Sequence, residues 1–384
     1  MSSLQILADQ NMRCVAEYFG TMGSVSLVDG RTISAEDLSG VDVLLVRSVT
    51  AVNESLLAGS QVRFVGTATS GFDHVDIQYL AERGIGFAHA PGSNANSVVE
   101  YVLAAIAHTD DKLERLLAGG SLGIIGYGNI GQALARRCSA LGIAVNVYDP
   151  WLDADVLDCA ASLSDVLGCE VISIHAELTH RQPWPSFHLL KEAQLTAVPG
   201  DTLMINAGRG ELIDTGALLK LLKIGLGPRT VLDVWEGEPL ISSELLEYVD
   251  IGTPHIAGYS LDGKNLATSM LRDALAQHLG SAAISGQQNK ADAPMQAVPP
   301  GLRSAELIRW AVGARYNIVE DDIALRAKTL GSDSAAASQG FDDLRKHYRT
   351  RRELSGSTVA IEPEQKEQKT LLEALGCRVV AADL

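Results

Sequence analysis

Short apolar runs separated by helix-length stretches recur through the first hundred residues. "LQILAD", "VDVLLVRS", "VRFVGTAT" and "IGFAHAP" each end in polar or glycine residues. That rhythm predicts parallel β/α units. "SVVEYVLAAIAHT" then carries a long apolar helical face, and "PGSNAN" before it supplies helix-start residues. A second series opens at "SLGIIGYGNIG" and runs through "AVNVYDP", "EVISIHAEL", "DTLMINAGRG", "RTVLDVWEG" and "VDIGTPHIAG". The amphipathic segments "QALARRCSALG" and "TGALLKLLKIG" lie between them, so five or six strands with intervening helices predict a doubly wound α/β sheet. The pattern changes after about residue 280, where "GSAAISGQQNKADAPMQAVPPG" reads as a linker or extended arm. Beyond it, "AELIRWAVGARYNIVEDDIALRA" and "GFDDLRKHYRTRRE" predict helices, and "STVAIE" and "CRVVAA" short strands. No fixed-period repeat is present.

Composition narrows the classes. A chain of 384 residues is too long for one ordinary core. With 46% hydrophobic and 20% charged residues it reads as globular and soluble. A net charge of -16 argues against nucleic-acid binding. The basic run "LRKHYRTRRE" accordingly reads as a solvated helix face or an interface. An arginine from it reaching an anionic substrate in a neighbouring subunit stays open. The five cysteines, Cys14, Cys138, Cys159, Cys169 and Cys377, form no CxxC pair and no zinc spacing. No metal is expected, and a reduced, cytoplasmic protein is. The opening "MSSLQILADQNM" has no signal-peptide pattern, and no apolar stretch suits a membrane span.

The chemistry begins at "GYGNIG", where Gly126, Gly128 and Gly131 make G-x-G-x-x-G between a strand and a helix. The next strand ends at Asp149, eighteen residues beyond Gly131. Gly126 permits the tight turn, Gly128 lets a pyrophosphate approach, and Gly131 lets helix and strand pack closely, while Asn129 and Ile130 open the helix. A carboxylate at Asp149 accepts bonds from both ribose hydroxyls and repels a 2′-phosphate, so the expected cofactor is NAD. The plain alternative is a glycine-tightened βαβ unit without ligand, with Asp149 as a strand-end cap.

"INAGRGELID", "LDVWEGEP" and "TPHIAGYS" follow in that order, each at a predicted strand end. Together with "GYGNIG" they resemble the D-isomer-specific 2-hydroxyacid dehydrogenases. The resemblance implies that Arg209, Glu238 and His255 act on the substrate beside the nicotinamide. Imidazole can take the hydroxyl proton, a carboxylate can orient the ring, and a guanidinium fork suits a carboxylate or alkoxide. Taken singly, each has an ordinary reading: a surface ion pair, a loop acid and a turn cap. The resemblance also places Asp233 at the nicotinamide amide and Ala176, Ala207 and Gly258 along the cofactor. At Ala176 the "HAEL" stretch lacks the hydroxyl usual there. Trp235 reads as packing.

Further stretches, "LVRSVTAVNESLLAG", "FVGTATSGFDHVD", "VVEYV" and "HIAGYSLDGK", resemble a branch of that family acting on a phosphorylated 2-hydroxy acid. Ser48, Thr69 and Tyr259 match substrate-contact positions, and Arg47 suits a phosphate on charge grounds. Their plain readings are turn residues and helix-start packing. The resemblance implies a flavodoxin-like substrate (lid) domain from 1–98 with 258–280, and a Rossmann-type NAD domain at 99–257. It further implies a linker with a small C-terminal α+β dimerisation domain at 281–384, hence a homodimer, and an active site in the interdomain cleft. Two alternatives remain: another 2-hydroxy acid such as 3-phosphoglycerate as substrate, and a non-enzymatic NAD-sensing regulator on the same fold.

Overall fold

β3 (Val43–Val46) and β4 (Phe64–Thr67) are buried at every position, as expected of strands covered on both faces. In this computed structural model, which describes residues 3–153, 157–280, 293–295, 297–362 and 365–381, they lie at the centre of a parallel sheet. With β1 (Leu4–Asp9), β2 (Gly23–Val28) and β5 (Gly86–Ala88) the order is β2-β1-β3-β4-β5, the flavodoxin-like arrangement. β2 was not among the predicted runs. It is an edge strand of alternating exposure, and "GSVSLV" carries too little apolar residue to announce itself. The helix Leu261–His278 returns to this sheet and buries Leu271 and Leu275 against Ile6, Val43, Leu45 and Phe64. The described residues 3–94 and 260–280 thus make one compact unit.

The second unit comprises residues 95–259 and 291–384. Its main sheet holds β6 (Ser121–Ile125), β7 (Ala144–Tyr148), β8 (Val171–Ile174), β9 (Leu203–Asn206), β10 (Arg229–Leu232) and β11 (Ile251–Gly252). All pair in parallel, in the order β11-β10-β9-β8-β6-β7. Strand order reverses between β6 and β8, and the crevice beyond that switch point is where such sheets bind ligands. The helix Ala95–His108 is buried nearly all round, and even its Glu100 is inside.

The C-terminal segment shares that unit's core. Leu307, Ile308, Val359 and Leu372 join one hydrophobic cluster with Val102, Leu122 and Leu203. β12 (Ala293–Pro294), β13 (Ser357–Ile361) and β14 (Arg378–Ala381) form a small parallel sheet. The first predicted helical stretch divides into Ser304–Gly313 and Ile318–Thr329, because the Asn317 side chain accepts from the Val319 N–H and starts a new helix. The basic run is helical only to Lys346. After it the chain turns inward, and Arg351 is buried rather than solvated because its Nη2 donates to the carbonyls of Ser97 and Ala257. Of the polar stretch read as a linker, residues 281–292 and 296 lie outside the described residues.

Candidate active site

At the switch point the chain passes from β6 through the glycine loop into the helix Asn129–Ala140. Gly126 has φ +94°, and a Cβ there would stand 2.5 Å from the Ala176 Cα, in the loop after β8. A Cβ on Gly131 would stand 2.1 Å from the Gly126 carbonyl oxygen. These two glycines are dictated by backbone approach. Gly128 differs: a Cβ there meets nothing within 4 Å, so the loop's outer side is open. No side chain caps the helix start, and Gly128 and Asn129 are exposed with Ile130 half-buried behind them. An open glycine over an uncapped helix N-terminus fits a pyrophosphate. Asp149 lies just past β7, where Oδ2 accepts from the Tyr127 N–H at 2.8 Å and Oδ1 from the Trp151 N–H at 3.1 Å. The carboxylate is therefore fixed beside the loop, as ribose recognition requires.

The loop after β11 is held by Asp233, which is fully interior at the end of β10. Its Oδ1 accepts from the Thr253 hydroxyl at 2.6 Å and the Ile256 N–H at 2.8 Å. Oδ2 accepts from the Ala257 N–H at 2.9 Å, and the Asp233 carbonyl accepts from the His255 N–H at 2.7 Å. Burial pushes this carboxyl above its ordinary value, opposed by His255 and by the three donors. This demand for loop donors explains why only Ile251 and Gly252 of "VDIGTPHIAG" are strand.

His255 stands in the left-handed region, φ +56°, a conformation costing a non-glycine residue about 1 kcal/mol and found where a site over-determines it. Its Nδ1 faces Glu238 Oε2 at 2.7 Å, leaving Nε2 for other partners. Glu238 is oriented in turn, because its Oε1 accepts from the Trp235 N–H at 2.9 Å. Burial raises the Glu238 carboxyl, but His255, the Trp235 N–H and the Arg345 guanidinium together hold it below the ordinary value. Trp235 packs in the core and also donates its indole N–H to the Thr253 carbonyl at 2.9 Å.

Arg209 follows β9 in a turn shaped by Asn206, whose amide donates to the Arg209 carbonyl at 2.9 Å and accepts from the Gly208 N–H at 3.1 Å. A Cβ on Gly210 would lie 2.0 Å from the Trp235 carbonyl carbon, so this glycine lets the turn rest on the chain leading to Glu238. Ala207 is buried at the strand end, and Gly258 is half-buried.

The sequence candidates thus gather in two groups within this unit. The glycine loop, Asp149 and Ala176 form one; Asp233, Glu238, His255 and Tyr259 belong to the other. Ser48 and Thr69 belong to the first unit. Ser48 is exposed in the turn after β3. The Thr69 hydroxyl donates to the Gly71 carbonyl at 2.7 Å and meets the Thr67 hydroxyl at 2.8 Å. Arg47 pairs with the buried Asp9 at 2.9 Å. Three participants escaped sequence reasoning: Thr253, Tyr101, whose hydroxyl meets Thr253 Oγ1 at 2.8 Å, and Arg345. Thr253 lay two residues from a candidate histidine, Arg345 lay in the basic run read as a solvated face or an interface, and nothing local marked Tyr101. Among the described residues no His, Cys, Asp and Glu cluster suits a metal.

Two parallel α/β units, one with a glycine loop at its switch point and a histidine–glutamate pair beyond the same strand ends, are the plan of a nicotinamide-dependent 2-hydroxyacid dehydrogenase. Residues 97–257 match the family model described as D-isomer specific 2-hydroxyacid dehydrogenase, NAD binding domain. Residues 300–376 match a domain of unknown function (DUF3410). The chain is 43% identical to erythronate-4-phosphate dehydrogenase of Cellvibrio japonicus, over 98% of this chain and 100% of that protein. It is 41% identical to the enzyme of the same name from Edwardsiella ictaluri, over 97% and 98%. Among solved structures, NAD+-bound 3-phosphoglycerate dehydrogenase of Entamoeba histolytica shares the fold. Its TM-score is 0.61 at 21% identity, covering 74% of this chain and 99% of that one. The chain belongs to the erythronate-4-phosphate dehydrogenase family.

Proposed function

We infer that this protein catalyses the NAD-dependent oxidation of 4-phospho-D-erythronate to (3R)-3-hydroxy-2-oxo-4-phosphooxybutanoate, a step of pyridoxal 5′-phosphate biosynthesis. Identities of 43% and 41% over nearly the full length to two enzymes of that name support the substrate. The observation that carries the chemistry is the His255–Glu238 pair at 2.7 Å.

Oxidation removes a hydride from carbon and a proton from the hydroxyl oxygen. Bound NAD supplies the hydride acceptor. The proton passes to His255 at Nε2, because Nδ1 is committed to Glu238, and the glutamate stabilises the imidazolium that results. Arg209 offers paired donors to the substrate carboxylate and the developing carbonyl oxygen. The glycine loop holds the pyrophosphate through Gly126, Gly128, Asn129, Ile130 and Gly131, and Asp149 takes the ribose hydroxyls. Ala176, Ala207 and Gly258 offer backbone close to the cofactor. Asp233 keeps the loop in register and has lone-pair capacity for the nicotinamide amide. Ser48, Thr69 and Tyr259 contact substrate, with Arg47 a candidate for the phosphate. Residues 1–98 with 258–280 serve as the lid, 99–257 bind NAD, and 281–384 mediate dimerisation.

Cytoplasmic location is supported by the five free thiols, which suit a reducing compartment, and the homodimer by the resemblance of "FDDLRKHYRTRRE" to a dimerisation segment. No helix among the described residues is long and apolar enough to cross a membrane. Turnover is tested by nicotinamide absorbance with NAD and 4-phosphoerythronate, 3-phosphoglycerate or unphosphorylated erythronate, with and without a 2-oxo acid acceptor. The first substrate should give the highest kcat/KM. Better turnover of either alternative rejects the assignment, and light scattering of the eluted protein reads the dimer.

A further inference from the structure

Three turns meet at the carboxyl end of the first unit's sheet, where the order β2-β1-β3-β4-β5 reverses between β1 and β3. In sheets of this order, ligands bind in the crevice at that reversal. Asp9 ends β1 there and is fully buried. Its Oδ1 accepts from the Asn11 N–H at 2.8 Å, and its Oδ2 accepts from Arg47 Nε at 2.9 Å, in the turn after β3. Gly30, just past β2, closes over the same carboxylate: a Cβ there would stand 2.2 Å from Asp9 Oδ2. The buried Thr50 hydroxyl fixes Gly30 in turn by donating to its carbonyl at 2.7 Å.

This pairing takes only one edge of the guanidinium. The Arg47 side chain is 29% exposed, and its Nη1 and Nη2 have no hydrogen-bond partner among the described residues. A guanidinium gripped at Nε by an immobile carboxylate holds its two outer nitrogens in a fixed direction, as a fork that matches the oxygens of a phosphate. Ser48, next in the chain and exposed, adds a hydroxyl. We propose that this reversal is the subsite for the substrate phosphate and that Asp9 is its positioning residue. Asp9 aims Arg47 at the phosphate, and Gly30 leaves the space in which the two can pair. This rests on the reading of the chain as a dehydrogenase of a phosphorylated 2-hydroxy acid. Arg209 is read there onto the carboxylate, which leaves the phosphate as the anionic end for Arg47.

The test measures kcat and KM with 4-phosphoerythronate. Alongside, calorimetry reads the binding of 4-phosphoerythronate and of unphosphorylated erythronate to the full chain loaded with NADH, with which neither acid can react. Arg47→Met should raise KM and weaken binding of the phosphorylated acid about 30–100-fold. Asp9→Asn, which sets an NH2 where one accepting oxygen was, should do so about tenfold. In both, kcat should stay within about threefold and erythronate binding within about twofold. Gly30→Ala keeps both charges and crowds Oδ2 away from Nε, so it should match Asp9→Asn. It carries the comparison if Asp9→Asn does not fold, as read by thermal melting. Arg47→Lys would commit its one nitrogen to Asp9 and should recover little. In the Arg47→Met background, Asp9→Asn should add less than about twofold. Arg63→Met, at an exposed arginine of the same unit, should match wild type. Unchanged phosphate affinity in Arg47→Met overturns the proposal, and so does equal weakening of both acids. A full effect of Asp9→Asn without Arg47, or wild-type KM in Arg47→Lys, removes the positioning role of Asp9. A wild type that binds 4-phosphoerythronate through Arg47 without turnover rejects the reaction and keeps the subsite, whereas no binding at all rejects both.

Discussion

Thr253 donates its hydroxyl hydrogen to Asp233 at 2.6 Å, and the same oxygen meets the Tyr101 hydroxyl at 2.8 Å. A buried chain of polar groups therefore runs from the helix Ala95–His108 to the loop of His255. Asp233→Asn puts an NH2 group against N–H or O–H donors, whichever way the amide turns. It should cost about 2–3 kcal/mol in urea unfolding and lower kcat with it. Tyr101→Phe removes a single outer bond and should cost about 1 kcal/mol. Equal effects of the two would contradict this ordering.

His255→Ala should reduce kcat by about 10²–10⁴ and leave NAD affinity, read by calorimetry, nearly unchanged. Glu238 bears on acid stability. Its folded carboxyl lies below the unfolded value, so its contribution is complete above that value and lost as pH falls through the lowered one. Glu238→Gln should remove this part of the acid-unfolding curve. Near-wild-type turnover of His255→Ala would return the histidine to a turn-cap role.

In the proposed function, Asp149 is the residue that selects between NAD and NADP. Asp149→Ser removes the charge that repels a 2′-phosphate, and the ratio of kcat/KM for NAD over NADP should fall about tenfold or more. Some loss with NAD should accompany it, since the carboxylate also holds the Tyr127 N–H. An unchanged ratio would take Asp149 out of cofactor selection.

Glu100 makes stability fall toward alkaline pH. Burial and Glu353 push its carboxyl up to about 8, against Arg351 and Arg137, while Oε1 accepts from the Leu354 N–H at 2.7 Å. The folded value exceeds the unfolded one, so the native state binds a proton that the unfolded chain releases near 4.5. Its stabilising share is full below that and lost as pH rises through about 8. Glu100→Gln should flatten the melting temperature between about pH 5 and 8.5, whereas a slope parallel to wild type would refute this.

The parallel sheets and the glycine loop were legible because they rest on local signals: buried strands read as apolar runs, Gly126 takes the positive φ of the tight turn, and Gly131 is forced by the Gly126 carbonyl five residues before it. Glu238 and His255 were singled out through the motifs around them, and the structure sets the two side chains 2.7 Å apart. Tyr101 was not, since its bond to Thr253 comes from tertiary contact alone: a tyrosine on an apolar helix looks ordinary. Arg351 misled for the same reason. Its run reads as solvated, yet its partners Ser97 and Ala257 lie in distant parts of the chain.

The bond from Arg351 to Ser97 spans 254 positions, so it can form only long after the Ser97 helix has been made. On the ribosome, the glycine loop and the histidine loop emerge well before the arginines that grip them. A nascent chain ending near residue 300 would carry every recognisable motif, yet leave the carbonyls of Leu246, Val249 and Ala257 without their arginine donors. The loop that carries His255 therefore takes its last backbone donors from residues made long after it, and a premature stop before Arg326, which serves Leu246 and Val249, would remove them.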